Sequence, residues 1–234
     1  MRTVLVTGGT SNLGMAICRA FIEEGDSVIA TYAHNREGAE SLRRELGDRL
    51  SILELDLLKE ESVKALFSKL EALDVLVNNS GLFSLSDQQD LKSEEWDRVF
   101  DTNVKGLFLV TKAALPLLKQ SDDASIINIA SINAIHPGFG QTAHYDASKG
   151  AVVAYTKSLA AEVAPIRVNA VAPGLLDAPY LSDSDNPIRV MFESRSLLKR
   201  MVKVGEVASC ISFLSGSQAI TGQTIVVDCG YLVG

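Results

Sequence analysis

The sequence contains little of what metal centres and disulfide frameworks require. It has three cysteines and three histidines in 234 residues. Cys18, Cys210 and Cys229 are scattered and odd in number, and the sequence places no ligand cluster around them. We therefore expect no metal site, which disfavours a zinc-dependent dehydrogenase. Unpaired thiols are typical of reducing compartments, so we expect a cytoplasmic location.

Basic side chains and long apolar runs are also scarce. Lysine and arginine number 22 against 29 aspartates and glutamates, which gives a formal net charge of −7. Such a chain lacks the basic surface that binds nucleic acid or an anionic membrane, and no apolar run approaches the ~18 residues of a membrane span. The first eight residues lack the apolar core of a signal peptide and are expected to form a strand. We expect neither nucleic acid nor membrane as a partner.

Short apolar segments alternate with amphipathic ones along the chain, which predicts an α/β fold in one domain. Strands are expected at 4–6, 27–32, 50–55, 75–77, 125–130, 166–171 and 224–227. No repeat or linker divides residues 1–234. The alternation lapses over about 175–203, and a long excursion at a strand end predicts a substrate lid there.

The first strand leads into a glycine-rich turn at residues 7–14 and then into a helix. This order sets a dinucleotide pyrophosphate at a helix N-terminus. Only two of the three usual glycine positions are filled, so an ordinary turn between strand and helix is the alternative.

The tip of the second strand bears on the choice of dinucleotide. An acidic residue there would hold the ribose 2′-hydroxyl of NAD, but residues 33–36 contain none. His34 and Arg36 could instead meet the 2′-phosphate of NADP, which favours NADP(H) and leaves NAD(H) as the alternative. Arg36 could equally belong to the solvated face of the next helix.

Ser131, Tyr145 and Lys149 form the candidate catalytic group. Ser131 follows an isoleucine-rich strand, at the edge where parallel sheets bind ligands. Tyr145 and Lys149 are four residues apart in an expected helix, so their side chains share a face. A nearby ammonium would lower the tyrosine pKa from its usual value of about 10, and the serine hydroxyl could hold the substrate oxygen. For these two helix residues alone, ordinary packing is the alternative.

Two further polar residues occupy informative positions. A helix is expected from Ser93 to about Lys119, and Asn103 lies at its middle, where asparagine has poor propensity and a buried amide needs partners. Asp56 follows the third strand, where it could bind an adenine amino group or favour a helix N-terminus.

In this order the motifs resemble those of the short-chain dehydrogenase/reductase family over essentially the whole chain. They are Thr7-Gly8 with Gly14, Asp56, Asn78-Asn79-Ser80-Gly81, Asn103, Ser131, Tyr145-x-x-x-Lys149, Pro173-Gly174 and Thr221-Gly222-Gln223. The resemblance implies a three-layer, doubly wound parallel sheet of Rossmann type with about seven strands. Through residues 222–228 the chain is most similar to 3-oxoacyl-acyl-carrier-protein reductases.

The resemblance also implies roles for individual residues. Tyr145 would exchange a proton with the substrate oxygen, which Ser131 would orient. Lys149 would bind the nicotinamide ribose, and Asn103 would hold a water in a relay to Lys149. The implied cofactor contacts are Gly8, Thr10, Ser11, Asn12, Leu13, Gly14, His34, Arg36, Asp56, Leu57, Asn79, Ser80, Gly81, Tyr145, Lys149, Pro173, Gly174 and Leu176. The candidate substrate contacts are Ser131, His136, Phe139, His144 and Tyr145.

The chain departs from the family pattern in four places. Asn12 replaces a glycine, Ser80 replaces an alanine, and Ala178 stands where a threonine often binds the cofactor. Compared with the family pattern, one extra residue lies between Ser131 and Tyr145. Asn12 could keep the backbone farther from the phosphate or adopt a positive φ.

The implied reaction is hydride transfer between NAD(P)(H) and a carbonyl or secondary alcohol. A small ketone, an oxoacyl thioester, a sugar or a pterin could be the substrate. A carrier-protein substrate is disfavoured because acidic residues at 121–123, Asp183 and Asp185 would repel an acidic carrier. The alternative hypothesis is a non-catalytic sensor or scaffold that binds a dinucleotide on the same fold.

Self-association is a separate expectation. The helices around 95–119 and 145–163 carry apolar residues on more than one face, and the C-terminal residues 231–233 are apolar. Relatives bury such faces between subunits, so we expect a homotetramer.

Overall fold

Seven parallel strands form one sheet in the order β3-β2-β1-β4-β5-β6-β7. The computed structural model describes residues 1–234, apart from the side chain of Tyr180. The strands are β1 (Thr3–Val6), β2 (Ser27–Tyr32), β3 (Leu50–Glu54), β4 (Val75–Asn78), β5 (Ser125–Ile129), β6 (Arg167–Pro173) and β7 (Thr224–Val227). The strand order reverses between β1 and β4, as a doubly wound fold requires. The predicted fold is confirmed.

Helices cover both faces of the sheet. They are α1 (Asn12–Glu23), α2 (Arg36–Leu46), α3 (Glu60–Phe67), α4 (Ser93–Phe100), α5 (Leu107–Leu118), α6 (Ala143–Glu162), α7 (Pro187–Arg195) and α8 (Val204–Gly216). Short 3₁₀ turns lie at Gly47–Arg49, Ile132–Ala134, Pro179–Leu181 and Tyr231–Val233. Across the described part of the chain, every helix is too short or too polar to span a bilayer.

The two layers of core follow from the alternation of side chains along each strand. Val4 and Val6 point into one core, which α1, α2 and α8 cover, while Leu5 points into the other, beneath α3, α5 and α6. Both faces of the central strands are therefore apolar, as expected for strands buried on both sides.

The helix expected from Ser93 to Lys119 is interrupted. A π-helical turn (Asp101–Gly106) separates α4 from α5 and contains Asn103. Gly106 allows this turn to approach the loop after β3, because a Cβ atom on Gly106 would lie 2.9 Å from the Cβ of Leu57. Such wide turns occur mostly as local insertions within helices, often at functional sites. The periodicity of the sequence did not reveal this one.

A buried amide pair fixes the carboxyl ends of the two central strands. Asn78 of β4 and Asn128 of β5 are register partners, and Asn78 Nδ2 donates to Asn128 Oδ1 at 2.8 Å. Asn78 Nδ2 also donates to Thr111 of α5 at 3.0 Å, and Asn128 Nδ2 donates to Thr156 of α6 at 2.9 Å. The network thus ties the sheet edge to the two helices that flank the site described below.

We predict that Asn128→Ala lowers the free energy of unfolding by about 2–4 kcal/mol, because it opens a cavity and removes partners from buried polar groups. Urea denaturation measures the change. Gln120→Ala is the control, since the Gln120 side chain bonds the Pro116 carbonyl at an exposed position, and it should cost below about 0.5 kcal/mol. An equally small loss for Asn128→Ala would contradict the structural role of the network.

Candidate active site

A cavity of about 440 Å³ opens at the carboxyl edge of the sheet, where the strand order reverses. Its walls come from the ends of β1, β4, β5 and β6 and from the start of α6. The lining residues are Ser11, Asn12, Leu13, Asn79, Gly81, Leu82, Phe83, Ile129, Ala130, Ser131, Ile132, Asn133, Phe139, Tyr145, Lys149, Pro173, Gly174, Leu175 and Leu176. The cavity therefore brings together predicted dinucleotide and catalytic residues.

Lys149 is the buried charge of this site. Its side chain is 5% exposed, and its Nζ donates to the carbonyl of Ile129, the last residue of β5, at 2.8 Å. The same Nζ lies 5.7 Å from the centre of the Tyr145 ring. Burial lowers the pKa of Lys149 from 10.5 to about 8, because desolvation disfavours the charged form.

Ser131 and Tyr145 face the same cavity from two elements. Ser131 follows β5, and its Oγ accepts a hydrogen bond from the Asn133 amide at 3.1 Å, which leaves the serine O–H to donate. Tyr145 lies in the first turn of α6, where its ring and that of Phe83 pack edge to face with 4.9 Å between centroids. The two hydroxyl-bearing residues and Lys149 thus line one space.

Asn103 holds the segment after β4 in place. Its Oδ1 accepts from the Leu82 amide at 2.7 Å, and its Nδ2 donates to the Leu82 carbonyl at 2.9 Å and to Ser148 Oγ at 3.0 Å. A Cβ on Gly81 would lie 3.4 Å from both Asn103 Oδ1 and Lys149 Nζ. The side-chain amide is therefore committed to Leu82 and α6, and the water relay stays a prediction.

The glycine-rich turn between β1 and α1 is tightly packed and held by hydrogen bonds. Gly8 has a φ of +61°, and a Cβ on Gly14 would lie 2.2 Å from the Gly8 carbonyl oxygen. Ser11 caps α1 by accepting from the Gly14 amide at 3.0 Å. Asn79 Nδ2 fastens the turn by donating to the carbonyls of Thr7 and Gly8 at 2.9 and 3.0 Å. The start of α1 thereby faces the cavity, where its free amides and dipole suit an anion.

Asn12 is the first residue of α1 and is helical, so it does not use the positive φ that was one of its two alternatives. Its Nδ2 points to the carbonyl of Asp177 at 3.5 Å, on the segment that leaves β6. The asparagine that replaces a glycine therefore links the pyrophosphate turn to the start of the predicted lid.

The other predicted cofactor residues do not line the cavity: Gly8, Thr10, Gly14, His34, Arg36, Asp56, Leu57 and Ser80. His34 and Arg36 are exposed at the tip of β2, and Arg36 Nε pairs with Glu40 at 3.0 Å. Asp56 accepts from Lys59 at 2.9 Å and from the Leu58 amide at 3.0 Å. The hydrogen bond from Lys59 is the main reason that the pKa of Asp56 is lowered.

The structure places the three predicted substrate residues His136, Phe139 and His144 differently. Phe139 lines the cavity, but His136 and His144 do not. His144 is fully buried on the other side of the α6 start, where its Nε2 lies 2.7 Å from Ser84 Oγ. His136 bonds the Pro137 carbonyl through Nδ1 at 2.8 Å, and its Nε2 accepts from Arg195 at 3.1 Å. Each histidine therefore fastens a loop.

Sequence reasoning missed several residues that form the cavity wall, chiefly Leu82, Phe83, Ile132, Asn133 and Leu175. Each lies within three residues of a strand end or of a recognised motif. Nearness to those motifs is the signal that could have found them, because loops at the carboxyl edge of a parallel sheet carry ligand contacts.

The predicted lid packs against the C-terminal turn. Phe192 of α7 stacks on Tyr231 at 4.6 Å with an interplanar angle of 4°, and the Arg195 guanidinium lies 4.6 Å from the centre of the same ring. Gly174 permits this packing, since a Cβ there would lie 2.8 Å from Phe192. The excursion therefore has a defined position beside the cavity.

The acidic turn at 121–123 lies far from the cavity entrance. It precedes the amino end of β5, beside a separate cleft of about 370 Å³ at the opposite edge of the sheet. Asp123 there pairs with Arg167 at 2.7 Å, and Arg167 also donates to the carbonyls of Leu214 and Ser215. The charge of this turn therefore lies at the edge of the sheet opposite the cavity.

Comparison with known proteins identifies the family. A family model described as "Enoyl-(Acyl carrier protein) reductase" matches residues 8–232. The chain is 34% identical to cyclopentanol dehydrogenase of Comamonas sp., covering 98% of this chain and 96% of the relative. It is 36% identical to 3-oxoacyl-(acyl-carrier-protein) reductase FabG of Thermotoga maritima, covering 99% and 98%. It is also 36% identical to 3beta-hydroxysteroid dehydrogenase 1 of Eggerthella lenta, covering 98% and 93%.

Solved structures agree with these relatives. A short-chain dehydrogenase/reductase from Serratia marcescens superposes with a TM-score of 0.90 at 31% identity, covering 98% of this chain and 97% of that one. The chain therefore belongs to the short-chain dehydrogenase/reductase family of oxidoreductases, which use a nicotinamide cofactor.

Proposed function

We propose that this protein transfers hydride between NADP(H) and an uncharged, apolar ketone or secondary alcohol, with Tyr145 as the general acid and base. The observation that carries the proposal is one cavity lined by Ser131, Tyr145 and a buried Lys149. A non-catalytic sensor would have no need to bury a lysine whose desolvation costs free energy.

Three residues of the cavity have roles in the proposed reaction. A nicotinamide cofactor, when bound, would supply or accept the hydride. Tyr145 gives its phenolic proton to the carbonyl oxygen during reduction, or takes it back during oxidation. Ser131 donates a hydrogen bond to that oxygen, and the Lys149 ammonium stabilises negative charge on the tyrosine oxygen.

The dinucleotide would occupy the half of the cavity that begins at α1. Ser11, Asn12 and Leu13 would surround the pyrophosphate with the amides of the helix start. Gly81 would leave the space beside Lys149 open to the ribose side, because a Cβ at position 81 would contact Lys149 Nζ at 3.4 Å. Pro173, Gly174 and Leu176 would form the opposite wall.

The wall on the substrate side is apolar. Leu82, Phe83, Ile132, Phe139 and Leu175 line this half of the cavity, and Asn133 adds one amide. A sugar or pterin would lose its hydration here with few partners in return, which is costly. An alicyclic or aliphatic ketone would lose little hydration free energy on entering this half of the cavity.

Exposed apolar side chains also lie on the two segments that contribute to the cavity wall. Phe83, Leu85 and Ile135 are 51, 50 and 54% exposed on the segments that follow β4 and Ser131. Exposed apolar patches of this kind mark ligand or partner sites. Two relatives carry names that denote alicyclic substrates, cyclopentanol and a 3β-hydroxysteroid, which supports the same class.

An oxoacyl thioester on a carrier protein is the second candidate. The family description and the relative named FabG support it. Arg195, Lys199 and Lys203 also provide positive charge on the lid segment, offsetting Asp183 and Asp185. A higher kcat/KM for an oxoacyl carrier protein than for cyclopentanone would favour this candidate.

The preference for NADP(H) rests on the tip of β2. Arg36 is exposed, and its pair with Glu40 is a surface contact between residues four apart, which is weak and screened by salt. A 2′-phosphate would offer Arg36 two charge-assisted hydrogen bonds.

The homotetramer remains our expectation for the assembly. Phe108 on α5 is 42% exposed, and this exposed apolar side chain supports the expectation.

We predict that Tyr145→Phe lowers ketone turnover at least ~10³-fold, because it removes the proton donor and keeps the ring. Cofactor fluorescence titration should give a Kd within about threefold of the wild type. Tyr155→Phe on the same helix is the control and should retain activity. Substantial turnover by Tyr145→Phe would refute the mechanism, and a wild type that binds NADPH without reducing any ketone would favour the sensor.

We predict that Arg36→Ala raises the Kd of NADPH about tenfold and leaves that of NADH unchanged, since tenfold corresponds to ~1.4 kcal/mol of lost phosphate contact. Arg44→Ala, at the other end of α2, is the matched control. Tighter binding of NADH than NADPH by the wild type would show that the tip of β2 does not select NADP(H).

A further inference from the structure

The carboxylate of Asp146 gathers three hydrogen bonds from the loop that follows Ser131. Asn133 Nδ2 donates to Oδ1 at 2.7 Å, and the Gly138 amide and Thr142 Oγ1 each donate to Oδ2 at 3.0 Å. These donors belong to residues 132–142, here called the substrate loop. One carboxylate on α6 therefore holds the beginning, middle and end of this loop.

Gly138 makes this convergence possible. A Cβ at position 138 would lie 2.3 Å from Thr142 Oγ1 and 2.4 Å from Asn133 Nδ2. No side chain fits at those distances, so the three donors can meet Asp146 only around a glycine. The cluster is thus built from two independent features, a carboxylate and a missing side chain.

The substrate loop carries one wall of the active-site cavity. Ile132, Asn133 and Phe139 line the cavity, and Phe139 directly follows Gly138. Asp146 directly follows Tyr145 in the first turn of α6. The carboxylate therefore connects the residue proposed to exchange the proton with the wall that faces it.

We propose that Asp146 is a positioning residue that sets the distance between this wall and Tyr145, and so determines the size of the ketone that the pocket accepts. The proposal rests on the proposed function. Hydrogen bonds to a carboxylate are about twice as strong as those between neutral groups, so the three bonds to Asp146 hold the loop closely. Asp146 itself lies outside the lining of the cavity.

The test compares two variants that disrupt the cluster from opposite sides. Asp146→Ala removes the acceptor, and Gly138→Ala keeps the acceptor but forces the donors apart. Asp48→Ala and Gly205→Ala are the matched controls, because Asp48 is exposed in the 3₁₀ turn after α2 and a Cβ on Gly205 would meet nothing within 4 Å. Each protein is assayed with cyclopentanone and with a bulky steroid ketone, and thermal unfolding verifies folding.

We expect both cluster variants to raise the KM for cyclopentanone about tenfold and to change the KM for the bulky ketone less than about threefold, since a looser wall loses contact with a compact ligand. The pH profile of kcat should stay that of the wild type. Hydrogen exchange in the peptide covering residues 132–142 should accelerate, and both controls should behave as the wild type does.

Unchanged exchange together with an unchanged KM ratio would overturn the proposal. Faster exchange with an unchanged KM ratio would also overturn it, because the loop would then not set the pocket size. An equal fall in kcat for both ketones with a displaced pH profile would assign Asp146 to the proton step instead. A wild type that reduces no ketone would contradict the proposed function, and hydrogen exchange would still decide whether Asp146 holds the loop.

Discussion

The ammonium of Lys149 donates to the carbonyl of Ile129, and this hydrogen bond joins the catalytic helix to the end of the central strand. Ile129 is two residues before Ser131, and Lys149 is one helical turn after Tyr145. The contact therefore sets the spacing between the two hydroxyl groups of the site. The hydrogen-bonded amide pair of Asn78 and Asn128 holds the carboxyl ends of β4 and β5 together.

Burying Lys149 costs stability. Its pKa is about 8 in the native protein, against 10.5 for a lysine in the unfolded chain. Between these values the unfolded chain binds one more proton than the native one, so the free energy of unfolding rises with pH in this window. Below about pH 8 the full cost applies, on the order of 3 kcal/mol. The fold thus loses stability by placing a positive charge close to Tyr145, and such losses are common at active sites.

The sequence was sufficient to predict the parts that depend on local pattern. Alternating apolar segments predicted the seven strands, and helical spacing predicted that Tyr145 and Lys149 share a face. Such patterns depend on neighbours within a few residues, which a single sequence displays. The position of Ser131 followed from the rule that parallel strands meet at one edge.

The parts that were missed depend on contacts between distant residues. The π-helical turn requires Gly106 to approach Leu57, and the Asp146 cluster requires the space left by Gly138. His144 was expected in the pocket, but helix geometry turns it toward Ser84 instead. Asn12 tolerates two backbone conformations, and only the packing of α1 selects the helical one. No periodicity of the sequence encodes these choices.

The most direct test of this account is a titration of Lys149 Nζ by nitrogen-15 NMR in lysine-labelled protein, with Lys149→Met to assign the signal. The account predicts one lysine that titrates near pH 8 and disappears in the variant, because the ammonium is buried against the end of β5. A midpoint near 10.5, the ordinary value of a solvated lysine, would show that Lys149 is not the buried charge on which the proposed chemistry depends.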